Sequence, residues 1–146
     1  MYKNILLATD GSDLSEKAVQ HALALAKMAG AQVTTVNVSP IYPRNYFEGS
    51  GADPAEAARI EKGWLDAAQA VVNKVVAEGA VIGVPVKALV AQSDLVAESI
   101  LQVAEKEQCD LIVMASHGYK GLKRLLLGSE TQHVLTHAKV PVLVLR

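Results

Sequence analysis

The sequence predicts an α/β fold, a single-domain, doubly wound parallel sheet of five strands with helices on both faces. Two observations on the 146-residue chain carry that expectation. Short β-rich runs alternate with helical patterns from end to end, in the order β-α-β-α-β-α-β-α-β, which is the pattern of parallel strands joined by right-handed helical crossovers. The first run, NILLAT at 4–9, is apolar at successive positions, as a strand covered on both faces must be. A composition of 51% hydrophobic, 20% charged and only 4% aromatic residues fits helices rich in Ala, Val and Leu packed on a buried sheet. The length suits one domain with one sizeable core.

Each element has its own signal. After the strand at 4–9, a helix over 13–29 places Ala18, Ala22, Leu25 and Ala29 on one stripe, with Val19, Leu23 and Ala26 beside it. Gly30 stands where a helix ends in the left-handed conformation. Residues 33–38 make the second strand, and 39–53, with Pro40, Pro43, Gly49 and Gly51, read as a long, mobile loop. Asp53, Pro54 and Glu56 supply an N-cap, a proline at the first helical position and a capping-box acid. The helix they open carries Ile60, Trp64, Ala68, Val71 and Val75 inward as far as Glu78, where Gly79 ends it. Residues 84–91 form the third strand, with Pro85 tolerable near its start or on a sheet edge. Asp94 caps a third helix in which Ala97, Ile100 and Ala104 repeat at helical spacing. A strand at 111–115, a helix at 130–138 and a strand at 140–145 complete the chain, with no second domain, linker or internal repeat.

A net charge of -1 gives no global reason to expect DNA, RNA or an anionic membrane as partner. The lone cysteine, Cys109, forms no intrachain disulfide, fits a reducing compartment and reads as a small buried filler rather than a nucleophile. The first apolar run breaks at Asp10, too early for a signal peptide, and no apolar stretch is long enough to span a membrane, so a soluble cytoplasmic protein is expected.

The chemistry concentrates in residues 116–129, SHGYKGLKRLLLGS. Gly118, Gly121 and Gly128 let backbone N–H groups approach a ligand, Lys120, Lys123 and Arg124 add positive charge, and no acid intervenes before Glu130. Ser129 reads as a helix start, whose orphan amides favour an anion. A strand, a basic glycine-rich loop and a helix N-terminus together point to a phosphate, and so to a nucleotide. Ligands of doubly wound sheets bind beyond the strand carboxyl ends where the strand order reverses, and Asp10 and this loop both sit at such ends. Asp10-Gly11-Ser12 has a competing reading as a turn capping the first helix, though its place at a strand carboxyl end favours a ligand role for Asp10, and Leu125–Leu127 read as sheet packing. His117 reads as an inert loop histidine, and His21, His133 and His137 as scattered, without metal-ligand spacing of the H-E-x-x-H kind, so no structural metal is expected. The chain has no Walker sequence, kinase signature or G-x-S-x-G elbow, which leaves slow turnover at most.

The opening ILLATDGS, the stretch DLIVMASHGYKGLKRLLLGS and the ending VPVLVLR resemble the universal stress protein family, in its ATP-binding branch. The resemblance covers the chain except 39–58, which lacks family-like character. Of the branch motif G-x2-G-x9-G-[ST], Gly118 and Gly128-Ser129 fill the last two elements, with nine residues between them, and Ala115 stands at the first. A glycine there would serve backbone torsion or space beside the phosphates; alanine adds one methyl and tolerates most torsions except φ > 0, so binding is expected to be weakened and not abolished. The resemblance implies a Rossmann-like, adenine nucleotide alpha hydrolase-like fold and a site for ATP, or ADP or AMP. Within it Asp10 would face the ribose or a metal ion, Thr9 and Ala8 line the adenine side, and Val38 offer backbone groups to the adenine edge. Met114 and Ala115 would floor the ribose and α-phosphate. Gly118, Gly128, Ser129 and Glu130 would give backbone N–H groups to the phosphates, with the Ser129 hydroxyl as an added donor. Lys120, Lys123 and Arg124 form a basic rim on electrostatic grounds alone. Mg or Mn would arrive with the nucleotide, held by phosphate oxygens and Asp10.

The implied role is a nucleotide-dependent regulatory or stress-response protein acting on protein partners that the sequence does not name. The alternatives are a slow ATPase or phosphotransferase, and a dimeric scaffold without nucleotide. Residues 140–145 form a short apolar terminal strand that would expose a sheet edge, and family members pair through it about a two-fold axis. The competing reading is an edge protected by Pro141 and Arg146.

Overall fold

A computed structural model describes residues 1–43, 53–118 and 127–146. The elements are β1 (Asn4–Ala8), α1 (Asp13–Ala29), β2 (Gln32–Ser39), α2 (Pro54–Ile82), β3 (Val86–Gln92), α3 (Val96–Lys106), β4 (Leu111–Ala115), α4 (Ser129–His137) and β5 (Val142–Leu145). They build one five-stranded sheet in the order β3-β2-β1-β4-β5, parallel throughout. The chain leaves β1 toward β2 and β3, then returns to the other side of β1 with β4, so the strand order reverses between β1 and β4.

Strand alternation divides the core in two. Ile5 and Leu7 of β1, with Leu111 and Val113 of β4, pack under α1 and α2 through Ala18, Ala22 and Val75. Leu6, Ile112 and Met114 point the other way and pack under α3 and α4 through Ile100 and Val134. Both faces of β1 and β4 are therefore buried, which is why their sequences are apolar without alternation. α1 has the expected limits: Ser12 Oγ accepts from Ser15 N, and Gly30 ends the helix at φ 67.

α2 departs from expectation. It runs through Gly79 to Ile82 and ends at Gly83, at φ 78. Gly79 is not a stop but a contact: a Cβ there would run into the Val86 side chain and lie 2.8 Å from Val84 O. The inward stripe is Ala57, Ala68, Val72, Val75 and Gly79, so Val72 takes the place expected for Val71. Ile60 is only half-buried and Trp64 remains 37% exposed, because a 29-residue helix is about 44 Å long. The 7-residue β3 beneath it spans roughly 23 Å, so the first turns of α2 overhang the carboxyl ends of the strands. There Trp64 meets Tyr42, ring centroids 5.6 Å apart.

Two helix starts also differ. Asp94 does not cap α3; its Oδ1 accepts from Ile41 N at 3.1 Å. The first turn of α3 is met instead by Glu130, whose Oε2 accepts from Ala97 N at 2.8 Å. α4 takes Gly128 as its N-cap, which makes Ser129 the first helical residue. Cys109 is buried as expected, and burial pushes its thiol up to about 11.

Candidate functional site

The carboxyl end of β1 turns sharply into α1. Gly11 adopts φ 81, and Ser12 N donates to Asp10 Oδ1 at 2.9 Å. Thr9 is tied down on every side: its N donates to Val36 O, its Oγ1 donates to Ser15 Oγ at 3.1 Å, and its O accepts from Asn37 Nδ2 at 3.0 Å. The helix-capping reading of Asp10-Gly11-Ser12 is thus realised, and it fixes the Asp10 carboxylate at the strand end.

Across the reversal point, β4 ends in a second anchored turn. Ser116 N donates to Leu145 O at 2.7 Å, and Gly128 N donates to Ser116 O at 2.8 Å, which closes the loop at its base. Thr131 Oγ1 lies 3.0 Å from both Ala115 O and Ser116 O, fastening the first turn of α4 onto the end of β4. A Cβ on Gly118 would strike the Asp10 carboxylate, and one on Gly128 would lie 3.2 Å from Ser116 O. Gly128 has φ −63, and Gly118 is not among the positive-φ glycines, so space rather than torsion favours glycine at both. Ala115 is equally unstrained, since Gln108 is the only described non-glycine residue with positive φ.

The structure brings Asp10, Gly118, Gly128 and Ser129 to one end of the sheet. Ala8, Val38 and Met114, on three adjacent strands, share the α3/α4 face. Glu130 is at the same helix start, with its carboxylate turned to α3. Lys120, Gly121, Lys123, Arg124, Leu125 and Leu126 lie outside the described residues. Ser116 Oγ sits 3.1 Å from His117 Nδ1, a nucleophile–base distance, yet Ser116 is 3% exposed and closed to substrate.

Sequence reading missed Thr131 and Asn37, whose roles depend on contacts distant along the chain. It also misjudged two histidines. His133 and His137 are four residues apart on α4, the spacing of the H-E-x-x-H pair, and their ring centroids are 4.4 Å apart. His133 Nε2 further approaches Glu98 Oε1 at 3.5 Å.

The model of the universal stress protein family matches residues 1–146. The chain belongs to that family. A universal stress protein of Thermus aquaticus is 37% identical over 147 residues, which cover 100% of each chain. Universal stress protein MJ0577 of Methanocaldococcus jannaschii is 31% identical over 156 residues, covering 100% of this chain and 96% of that one. The solved structure of MJ0577 matches with a TM-score of 0.82 at 29% identity, over 99% and 96% of the two chains. Family structures solved in complex with cAMP, with dAMP (Archaeoglobus fulgidus) and with AMP bound (Arabidopsis thaliana) match at TM-scores of 0.72, 0.67 and 0.69. They cover 99%, 99% and 98% of this chain and 97%, 98% and 90% of their own. Their identities of 21%, 20% and 16% show a shared fold.

Proposed function

We propose that this universal stress protein binds an adenine nucleotide, ATP or else ADP or AMP, between the carboxyl ends of β1 and β4. In this reading it acts as a nucleotide-dependent regulatory protein of the stress response, cytoplasmic and homodimeric. One observation carries the proposal: Gly118 abuts the Asp10 carboxylate at the point where the strand order reverses. A side chain at position 118 would have to displace that carboxylate, so glycine keeps the backbone close to the end of β1. The first amides of α4, opened by Gly128 and held by Thr131, add the positive end of a helix dipole. Adenine nucleotides bound to other proteins of this fold support the ligand class.

The residue roles follow from these placements. Ala8, Val38 and Met114 receive the base and ribose on the α3/α4 face, with Thr9 and Ala115 behind them. Gly118, Ser129 and Glu130 offer backbone donors to the phosphates, whereas the Gly128 N–H expected to join them is taken by Ser116 O. Asp10 can supply one carboxylate oxygen to Mg or Mn. No group of three or more metal-binding side chains occurs among the described residues, so phosphate oxygens and water must complete the sphere. β5 pairs with β4 alone, and Leu143 is 37% exposed, so a second copy pairing there about a two-fold axis would cover both edges.

The test is to denature freshly purified protein and identify the released small molecule by mass spectrometry and ultraviolet absorbance. ATP, ADP or AMP near one per chain supports the site. An empty protein that also ignores added ATP overturns it and leaves a dimeric scaffold.

A further inference from the structure

α4 presents His133 and His137 one helical turn apart, ring centroids 4.4 Å from each other and ring planes inclined by 37°. Each ring turns one nitrogen toward an oxygen, at hydrogen-bond distance for His137 and ion-pair distance for His133. His137 Nδ1 lies 3.0 Å from His133 O, and His133 Nε2 lies 3.5 Å from Glu98 Oε1 on α3. With the proton on those nitrogens, the neutral rings keep lone pairs on His137 Nε2 and His133 Nδ1. Metal-binding histidines are held in this way, one nitrogen donating to a carboxylate or a backbone carbonyl and the other ligating. Two bonds of about 2.0–2.1 Å allow one ion to bridge nitrogens up to about 4 Å apart, a span comparable to the 4.4 Å between these ring centroids.

The geometry points to a chelating site for a borderline transition-metal dication, Cu²⁺, Ni²⁺ or Zn²⁺, formed by His133 and His137 with Glu98 as the positioning residue. Imidazole nitrogens suit these ions and not Mg²⁺ or Ca²⁺, which prefer oxygen. No described side chain closes the site into a three-residue cage, so water or an outside ligand fills the remaining positions and the ion exchanges. Bound there, the ion would staple the last two turns of α4 and reinforce its seam with α3. The site is separate from the nucleotide reading and does not depend on it.

The test is calorimetric titration of untagged protein, stripped of nucleotide, with Cu²⁺, Ni²⁺, Zn²⁺ and Mg²⁺. Saturable equimolar binding is expected, Cu²⁺ tightest and Mg²⁺ silent. H133Q and H137Q should each lower the affinity for Ni²⁺ at least about tenfold, and E98Q roughly 10–100-fold, as loss of an orienting carboxylate does. H21Q should leave binding unchanged, and circular dichroism should show every variant folded. Ni²⁺ should raise the Tm of the parent and not that of H137Q. Parent-like Ni²⁺ affinity in folded H137Q, or an equal loss in H21Q, would overturn the assignment.

Discussion

Two glycines of one helix should respond to the same substitution with opposite signs. Gly63 and Gly79 both lie inside α2, where alanine is favoured over glycine by about 0.8–1 kcal/mol of backbone propensity. A Cβ on Gly63 meets nothing within 4 Å, so Gly63→Ala keeps the whole gain. At about 2–4 °C per kcal/mol for a domain of this size, its Tm should rise by roughly 2–4 °C. A Cβ on Gly79 enters the Val86 side chain and approaches Val84 O to 2.8 Å. That carbonyl cannot easily withdraw, because Val84 N is itself bonded to Gly79 O at 2.9 Å and Pro85 O accepts from Val33 N. Overpacking of this kind costs about 1–3 kcal/mol, which offsets or exceeds the propensity gain. Gly79→Ala should therefore be neutral to destabilised by about 2 kcal/mol, leaving a gap of about 1–3 kcal/mol between the variants. Urea unfolding followed by circular dichroism measures both, at fixed protein and nucleotide concentration because ligand and subunit binding shift apparent stability. Equal stabilisation in the two variants would refute the close approach of α2 to β3.

Gly118→Ala drives a methyl into the Asp10 carboxylate on an exposed loop; nucleotide affinity measured by calorimetry should fall at least about tenfold, or 1.4 kcal/mol, with Tm nearly unchanged. Cys109 ionises more readily unfolded, near 9.0, than folded, near 11, because burial disfavours the thiolate more than its Thr34 contact favours it. Its contribution is complete below the lower value and is lost as pH rises through the higher one, by about 3 kcal/mol in all. Urea midpoints of the parent should accordingly fall faster than those of Cys109→Ala between those pH values. Val144→Asp puts a charge on the edge strand β5; if the proposed dimer forms there, light scattering should report the monomer mass for the variant and twice that mass for the parent.

What the sequence revealed depended on the range of the forces involved. β1 and β4 were legible because burial on both faces leaves an unbroken apolar run, and α1 because Ser12 and Gly30 act within their own helix. The end of α2 was not, since an interior glycine required by a neighbouring strand looks the same as a terminal one. The contact with Val86 and the left-handed φ of Gly83 separate the two glycines, and neither is visible in the sequence. The start of α3 failed for a related reason. Asp94 is a good local cap, but the segment after β2 takes its carboxylate through Ile41 N, and Glu130 meets the helix from 33 residues away. At the site, the spacing of Gly118, Gly128 and Ser129 could be read directly. The reason for those glycines, a carboxylate and a carbonyl pressed against them, could not. Thr131 gave no signal at all, because its bonds go to main-chain oxygens that any residue would offer.

Ala115, standing where the motif carries glycine, now has a sharper expectation than the sequence allowed. Its φ is not positive, so its methyl imposes no torsional strain. Along β4, Leu111 and Val113 face α1 and α2, while Ile112 and Met114 face α3 and α4. Strict alternation puts the Ala115 methyl with the first set, opposite the face shared by Met114, Ala8 and Val38. Its register partner Leu145 packs on that same α1/α2 side. The methyl thus points away from the proposed base and ribose, and the Ala115 carbonyl is held by Thr131 whichever residue stands there. Ala115→Gly should leave ATP affinity within about twofold, a change of ~0.4 kcal/mol. A gain of about tenfold, or 1.4 kcal/mol, would show that the methyl reaches the ligand and that the nucleotide lies on the α1/α2 side of the sheet.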